Sequence, residues 1–559
     1  MKSIAQGLLL VLFFLLGMSS EARAAVTQLK FMNAPLSASA NQCSGAVKVE
    51  RVDTWGNAQA VSSTTTVNLA AQGAALYSDA GCTTPVSSML IGTWGYFVTF
   101  YYKGSVVGSP SITASASGLI AASQNESVTS GAPAKVLFSS QPSAQVVAGS
   151  AFAPGKVSIV DAGGNLVTGS SAPVSIALVG GSGLAGTLSQ NAVGGVATFS
   201  NLALNAAGSG YSLAASSTGL AGASSQSFSV AAGPAVSLAF SSQPPSSVSA
   251  GAPFGAQVSA YDAYGNLAKG FSGAVGLAAS ASSLGGTVSQ SAVGGIASFS
   301  NLSLNSAGAY SLVASSAGLP NVSSQSFSMQ PGAPASLAFS AQPPSQAVAG
   351  AAFAPAIKVS IYDAYGNLVS GASNVVSIAL AAPAVGSLGG TLSQAASGGV
   401  AVFSNLSMSA AGAGYSLVAS SAGLSSAASS SFAVQAGAPA SLAFSSQPPA
   451  QAVAGQAISP APSVAVFDAY GNPVSSSALS ISVALGNNPS AATLSGTLSR
   501  AAVASVASFD DLKLGNVGSG YTLVASAVGV SGATSQGFNV QSGPAAALAF
   551  VSQPAASAA

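Results

Sequence analysis

The stretch Leu238-Ala239-Phe240-Ser241-Ser242-Gln243-Pro244 decides how this chain reads, because it returns at Leu337 to Pro343, Leu442 to Pro448 and Leu548 to Pro554, with a looser copy at Leu137 to Pro142. Its glutamines stand at 141, 243, 342, 447 and 553, so the pattern advances by 102, 99, 105 and 106 residues. A second marker, Asp-Ala-Tyr-Gly-Asn, begins at Asp262, Asp363 and Asp468, and more loosely at Asp161. A third, Phe-Ser-Asn-Leu, begins at Phe199, Phe299 and Phe403, becomes Phe509-Asp510-Asp511-Leu512 in the last copy, and is followed by Tyr211, Tyr310, Tyr415 and Tyr521. Three markers moving in step mean that a whole domain was duplicated.

Inside a copy the apolar residues recur with period two. Val157-Ser158-Ile159, Tyr211-Ser212-Leu213 and Phe228-Ser229-Val230 alternate apolar with small polar side chains, as a strand buried on one face does. Gly, Pro, Asn and Ser clusters interrupt these runs, so each copy reads as about seven short strands, the pattern of an antiparallel sandwich. The fold class predicted is all-β: tandem immunoglobulin-like antiparallel β-sandwiches in an elongated array. A low-complexity linker is the alternative for so much Ala and Ser, and the fixed places of Phe, Tyr, Leu and Val argue against it.

The boundaries are expected at the Gly-Pro and Gly-Ala-Pro segments, giving repeats at 131–232, 233–331, 332–436 and 437–542, with 543–559 opening an incomplete sixth. Residues 25–130 read as a divergent first unit, since Asp53-Thr54-Trp55-Gly56-Asn57 lies 108 residues before Asp161. Residues 1–24 read as a Sec-type secretory signal, with Lys2, an apolar stretch from Leu8 to Met18, and Ala22-Arg23-Ala24 before the expected cut. The exported chain is expected to be secreted, extracellular or at the cell surface, with no later segment apolar enough to span a membrane.

Composition narrows the function. The 559 residues include 12 Lys+Arg, 11 Asp+Glu and no His, only 4% charged. Without imidazole there is no Ser-His or Cys-His nucleophile pair and no histidine metal ligand. No cofactor is called for. Charge near zero leaves no footprint for nucleic acid, and makes weak self-association an expectation.

Tandem units of about 100 residues with Asp-x-x-Gly-Asn after a strand, then Gly-Thr-Leu-Ser (Gly186, Gly390, Gly496), then Phe-x-x-Leu and Gly-Tyr-Ser-Leu, resemble bacterial immunoglobulin-like repeats of the invasin and intimin type. The resemblance covers nearly all of 25–542 and implies stalks of surface adhesins, or spacers in secreted enzymes. The short leader directly before the repeats, with no barrel segment, departs from intimin-like proteins.

Individual residues weigh toward structure. The aspartates Asp53, Asp161, Asp262, Asp363 and Asp468 invite calcium, but that ion takes six to eight oxygens, so a structural Asx-type turn is the simpler reading. Tyr211, Tyr310, Tyr415 and Tyr521 occupy a tyrosine-corner position, with carbohydrate stacking as the alternative. Cys43 and Cys82, an even pair in an exported unit, are expected to form a disulfide and not a redox pair. Trp55, Trp94, Tyr101 and Tyr102 make the first unit the place to look for ligand contact, against the reading that they fill its core. The expected function is a non-enzymatic stalk in adhesion or cell-envelope structure, its partner an unknown surface protein or glycan. Alternatives are the accessory region of a longer secreted enzyme, such as a polysaccharide hydrolase, and a carbohydrate-binding module.

Overall fold

The computed structural model describes residues 24–152, 155–382, 385–545, 547–549 and 551. The expected leader therefore lies, apart from Ala24, outside the described residues. Among the described residues every regular element of appreciable length is a strand, and no helix is long and apolar enough to cross a membrane.

The third unit illustrates the sandwich. Ser237–Ser242, the strand of the Leu-Ala-Phe marker, pairs antiparallel with Phe254–Tyr261, which pairs in turn with Ile296–Leu302. The facing layer starts with Ser247–Ser249, which runs parallel to Phe327–Gln330; that strand pairs antiparallel with Gly308–Tyr310. The path continues as Leu312–Ser316, which pairs with Ala274–Ala279 and Leu319–Ser323. Period-two alternation sends Val258, Leu277, Phe299 and Leu312 into one buried cluster between the layers. Five such clusters run from Leu29 to Val128, Val136 to Val230, Leu238 to Met329, Leu337 to Val434 and Leu442 to Val540, with no residue in common. The chain is an array of immunoglobulin-like sandwiches.

The sequence markers have physical roles. In the Gln-Pro marker, proline ends the first strand, and the Gln243 side-chain oxygen accepts the Gln325 N–H at 2.9 Å, tying the kink to the segment before the last strand. Gln141, Gln342 and Gln447 do the same with the N–H groups of Gln226, Ser430 and Gln536. The Gly-Thr and Phe-Ser-Asn markers face each other: the Thr187 N–H donates to the Asn201 side chain at 3.0 Å, and the Asn201 amide donates back to the Thr187 hydroxyl. Gly186 has φ +110°, and a Cβ there would strike the Asn201 carbonyl, so only glycine fits. In the fifth unit Asp511 replaces that asparagine and takes both the N–H and the hydroxyl of Thr497, while Arg500 pairs with Asp510 at 2.5 Å. Tyr211, Tyr415 and Tyr521 are buried and donate their hydroxyls to the carbonyls of Ala206, Ala410 and Asn516, five residues upstream.

Cys43 and Cys82 form a disulfide within the first unit, 39 residues apart. By loop-closure entropy such a link stabilises by about 3 to 4 kcal/mol. Replacing both cysteines with alanine is expected to lower the stability of the first unit by about that amount and to leave the other transitions of a calorimetric scan where they were.

Candidate functional site at the unit junctions

The turn aspartates gather polar contacts from both sides of each junction. A buried carboxylate needs donors, and Asp363, 2% exposed, gathers them from two directions. Its Oδ1 accepts the N–H groups of Tyr365 and Asn367, both at 2.8 Å, which closes the Asx turn. Its Oδ2 accepts the Asn367 side-chain amide at 2.8 Å and the N–H of Gly332 at 2.8 Å. Gly332 is the first residue of the segment arriving from the third unit. The same bond joins Asp161 to Gly131, Asp262 to Gly233 and Asp468 to Gly437.

The turn asparagine crosses into the preceding unit. Asn367 donates to the Asn305 carbonyl at 2.7 Å and accepts the Ala307 N–H at 2.8 Å. Asn266 makes this pair with Asn205 and Ala207, and Asn472 with Ser409 and Ala411. Asn165 makes it with Ser105 and, at a longer 3.3 Å, Val107. Each junction is thus closed by a two-way amide contact of the kind that one strand makes with another.

Between these bonds lies a fit of shapes. Tyr264, Tyr365 and Tyr470 lay their rings over Gly149, Gly251 and Gly350 of the preceding units, which hold φ from +73° to +78°; a Cβ at any of the three would fall inside the ring. At the first junction the sizes are exchanged. The glycine position is Asn41, at φ +63°, and the tyrosine position is Gly163, where a Cβ would lie 2.8 Å from the Asn41 amide nitrogen.

Among the described residues no other unit packs on the first unit's own turn. Asp53 accepts the N–H groups of Trp55 and Asn57 as its counterparts do, but the Gln59 side chain, at 3.0 Å, stands in for the linker glycine. Trp55, in the tyrosine position, is 78% exposed, and Trp94, at φ +60°, is 60% exposed. The buried Arg51 underlies this end. It occupies the place that Ile159, Ala260, Ile361 and Val466 fill elsewhere, and donates to the carbonyls of Gln59, Val61, Ser63, Gly92 and Gly95. Desolvation lowers its pKa.

The four aromatic residues singled out in this unit separate. Trp55 and Trp94 are at the surface, and Tyr101 is half-buried. Tyr102 is a core residue and not a surface contact: it is wholly buried and donates its hydroxyl to the carbonyls of Leu36 and Ser127. Burial, then the nearby Glu126 carboxylate, pushes its phenol up to about 12. Period two could have flagged it, since it lies two residues after the buried Phe100. Sequence reasoning missed Arg51, Gln59 and the crossing asparagines. Only the fixed Asn of the turn marker hinted at the last.

No protein-family model and no curated protein matches the chain. Among solved structures it is similar to invasin, a bacterial integrin-binding protein, at 12% identity and TM-score 0.29 over 75% of this chain and 81% of that one. It is similar to the Escherichia coli adhesin FdeC at 18% identity and TM-score 0.28, over 56% of this chain and 99% of that one. Domains 1–6 of the surface layer protein SbsC match at 14% identity and TM-score 0.20, over 90% of this chain and 66% of that one. The fold rests on the strand pairing and not on these likenesses.

Burial opposes ionisation of Asp363, but the Asn367 side chain and the N–H groups of Gly332, Asn367 and Tyr365 outweigh it and hold the carboxyl below its ordinary 3.8. A carboxyl lowered on folding contributes stability above its unfolded value and loses it as pH falls through the folded one. Thermal melts are therefore expected to be flat above about pH 5 and to fall below about pH 4. Asp363→Ala strands four donors at once and is expected to cost about 3 kcal/mol at neutral pH. Calcium is expected to leave the melting temperature of the parent chain unchanged.

Proposed function

We propose that this chain is a non-enzymatic, exported repeat protein that forms a cell-surface or extracellular stalk in adhesion or cell-envelope structure. The observation that supports this reading is the joint. Four successive junctions each carry the linker bond to aspartate and the two-way asparagine contact, so no free linker separates one sandwich from the next. A spacer needs length and stiffness more than a pocket, and units joined in this way supply both. The disulfide fits an oxidising compartment outside the cell. The first unit, with its exposed tryptophans, is the end that would meet a surface protein or glycan.

Small-angle scattering of the exported chain tests the stalk. Five end-to-end units of about 35 Å, ten strand residues rising 3.4 Å each, give a maximum dimension of roughly 170 Å. The triple substitution Asn266→Ala, Asn367→Ala and Asn472→Ala is expected to keep the units folded and to broaden the distribution of lengths. A parent chain that scatters as a flexible string, or a triple variant indistinguishable from it, would speak against the proposal.

A further inference from the structure

One sheet of the first unit departs from its counterparts in two ways that meet on the same face. The first is an added strand. Gln28–Phe31, Val47–Val52 and Phe97–Lys103 correspond to the three-stranded layer of each later unit, and Ala75–Tyr77 extends that layer by pairing with Phe97–Lys103. Its register sets Tyr77 opposite Tyr101 and Ala75 opposite Lys103. The chain turns back after Tyr77, which bridges to Pro85, and the Cys82–Cys43 disulfide pins this loop to the sandwich. The second departure is in the side chains. The row that reads Ala239, Ser259 and Ile296 in the third unit, and Ala338, Ser360 and Val400 in the fourth, reads Lys30, Glu50 and Phe97 here. One row on, Lys48 faces Thr99 and lays its ammonium over the Phe97 ring, 5.1 Å from the centroid. Tyr101 then follows Phe100 where Ser200, Ser300 and Ser404 follow Phe199, Phe299 and Phe403. Phe97 is exposed, and Tyr77 and Tyr101 are half-buried. Lys103 ends the strip at a hollow of about 490 Å³, which Asn41, Ala75, Tyr77 and Ser105 also line.

Taking the first unit as the ligand-bearing one, as proposed above, we infer that this four-stranded face binds an acidic polysaccharide whose charged sugars are separated by neutral ones. Alternate residues of the strand stand about 6.8 Å apart, so Phe97, Tyr101 and the neighbouring Tyr77 offer an extended row of rings along one flank of the unit. Each tyrosine presents an apolar body to the C–H side of a sugar and a hydroxyl to its oxygens. Lys48, opposite Thr99, and Lys103 lie four strand residues apart, which sets two cations about 14 Å from one another along the row. Among the described residues the ion pairs are those of Arg500 with Asp510 and Asp511, so no carboxylate of the chain neutralises Lys30, Lys48 or Lys103. In a chain only 4% charged, three unpaired lysines on one face are a local positive field. Glu50 lies between Lys30 and Phe97 in that field. It repels a polymer charged at every unit, as nucleic acid is, and tolerates one whose acids are spaced. The added strand and its disulfide hold Tyr77 beside Tyr101, so the ring pair is set before any ligand arrives.

Isothermal titration calorimetry of the exported full chain tests this, with octasaccharides of hyaluronate and of chondroitin sulfate as acidic probes. Carboxyl-reduced hyaluronate and oligodeoxythymidylate are the neutral and the polyphosphate comparisons. Saturable binding of at least one acidic probe is expected, weakening as ionic strength rises, with carboxyl-reduced hyaluronate weaker by at least about tenfold. Tyr101→Ser installs the residue of the later units and is therefore expected to fold and to weaken binding by at least about tenfold. Lys48→Gln with Lys103→Gln is expected to do the same, and to remove the salt dependence, while leaving every ring in place. Equal binding of the neutral saccharide, preference for oligodeoxythymidylate, indifference to both sets of substitutions, or no binding of either acidic probe would overturn the inference. Loss of binding in Trp55→Ala but not in Tyr101→Ser would also overturn it, while keeping the first unit as the ligand-bearing end. The stalk is read separately by scattering, so its failure is distinguishable from the failure of this face.

Discussion

A carboxylate taken out of water must be met by donors, and in this molecule that single requirement organises the joints. Asp262 meets it with the N–H groups of Tyr264 and Asn266, the Asn266 amide and the Gly233 N–H. Three of these belong to its own turn and the fourth to the incoming linker, so satisfying one side chain also sets where the preceding unit leaves off. The asparagine held by that carboxylate is then aimed across the gap, and the tyrosine between them is laid on the neighbouring glycine. Removing the charge would release all three contacts together.

The sandwich itself was legible because it depends on local pattern. Period-two alternation and three markers recurring in step require no knowledge of distant contacts, and the strands fall where those patterns place them. The joints were legible only in part. Asp363 read as a turn residue because its nearest partners lie two and four positions away. Its bond to Gly332, thirty-one residues earlier, and the reach of Asn367 to Asn305 have no local signature. Trp55 and Tyr102 show the same limit within one unit. Both are large aromatics in a divergent stretch, yet one sits on an exposed turn and the other falls on the inward phase of its strand. Arg51 was invisible for a related reason, since a charge in a strand reads as surface until the loops that bury it are placed.

Scarcity of charge shapes how the array is held together. Among the described residues the ion pairs are those of Arg500 with Asp510 and Asp511, both at the surface. The joints use amides, carbonyls and a desolvated carboxylate, which ionic strength screens far less than it screens exposed pairs. Serine and threonine hydroxyls pair across the outer strands, as Ser377 does with Ser393.

The exchange of sizes at the first junction bears on how such a chain can change over generations. Units three to five all offer a tyrosine to a glycine, so recombination that drops or copies any of them regenerates a sound joint. Unit two is different: excising it would set Tyr264 against Asn41, ring on side chain. Losing unit two would therefore leave a mismatched joint, whereas losing or gaining a unit behind it would not.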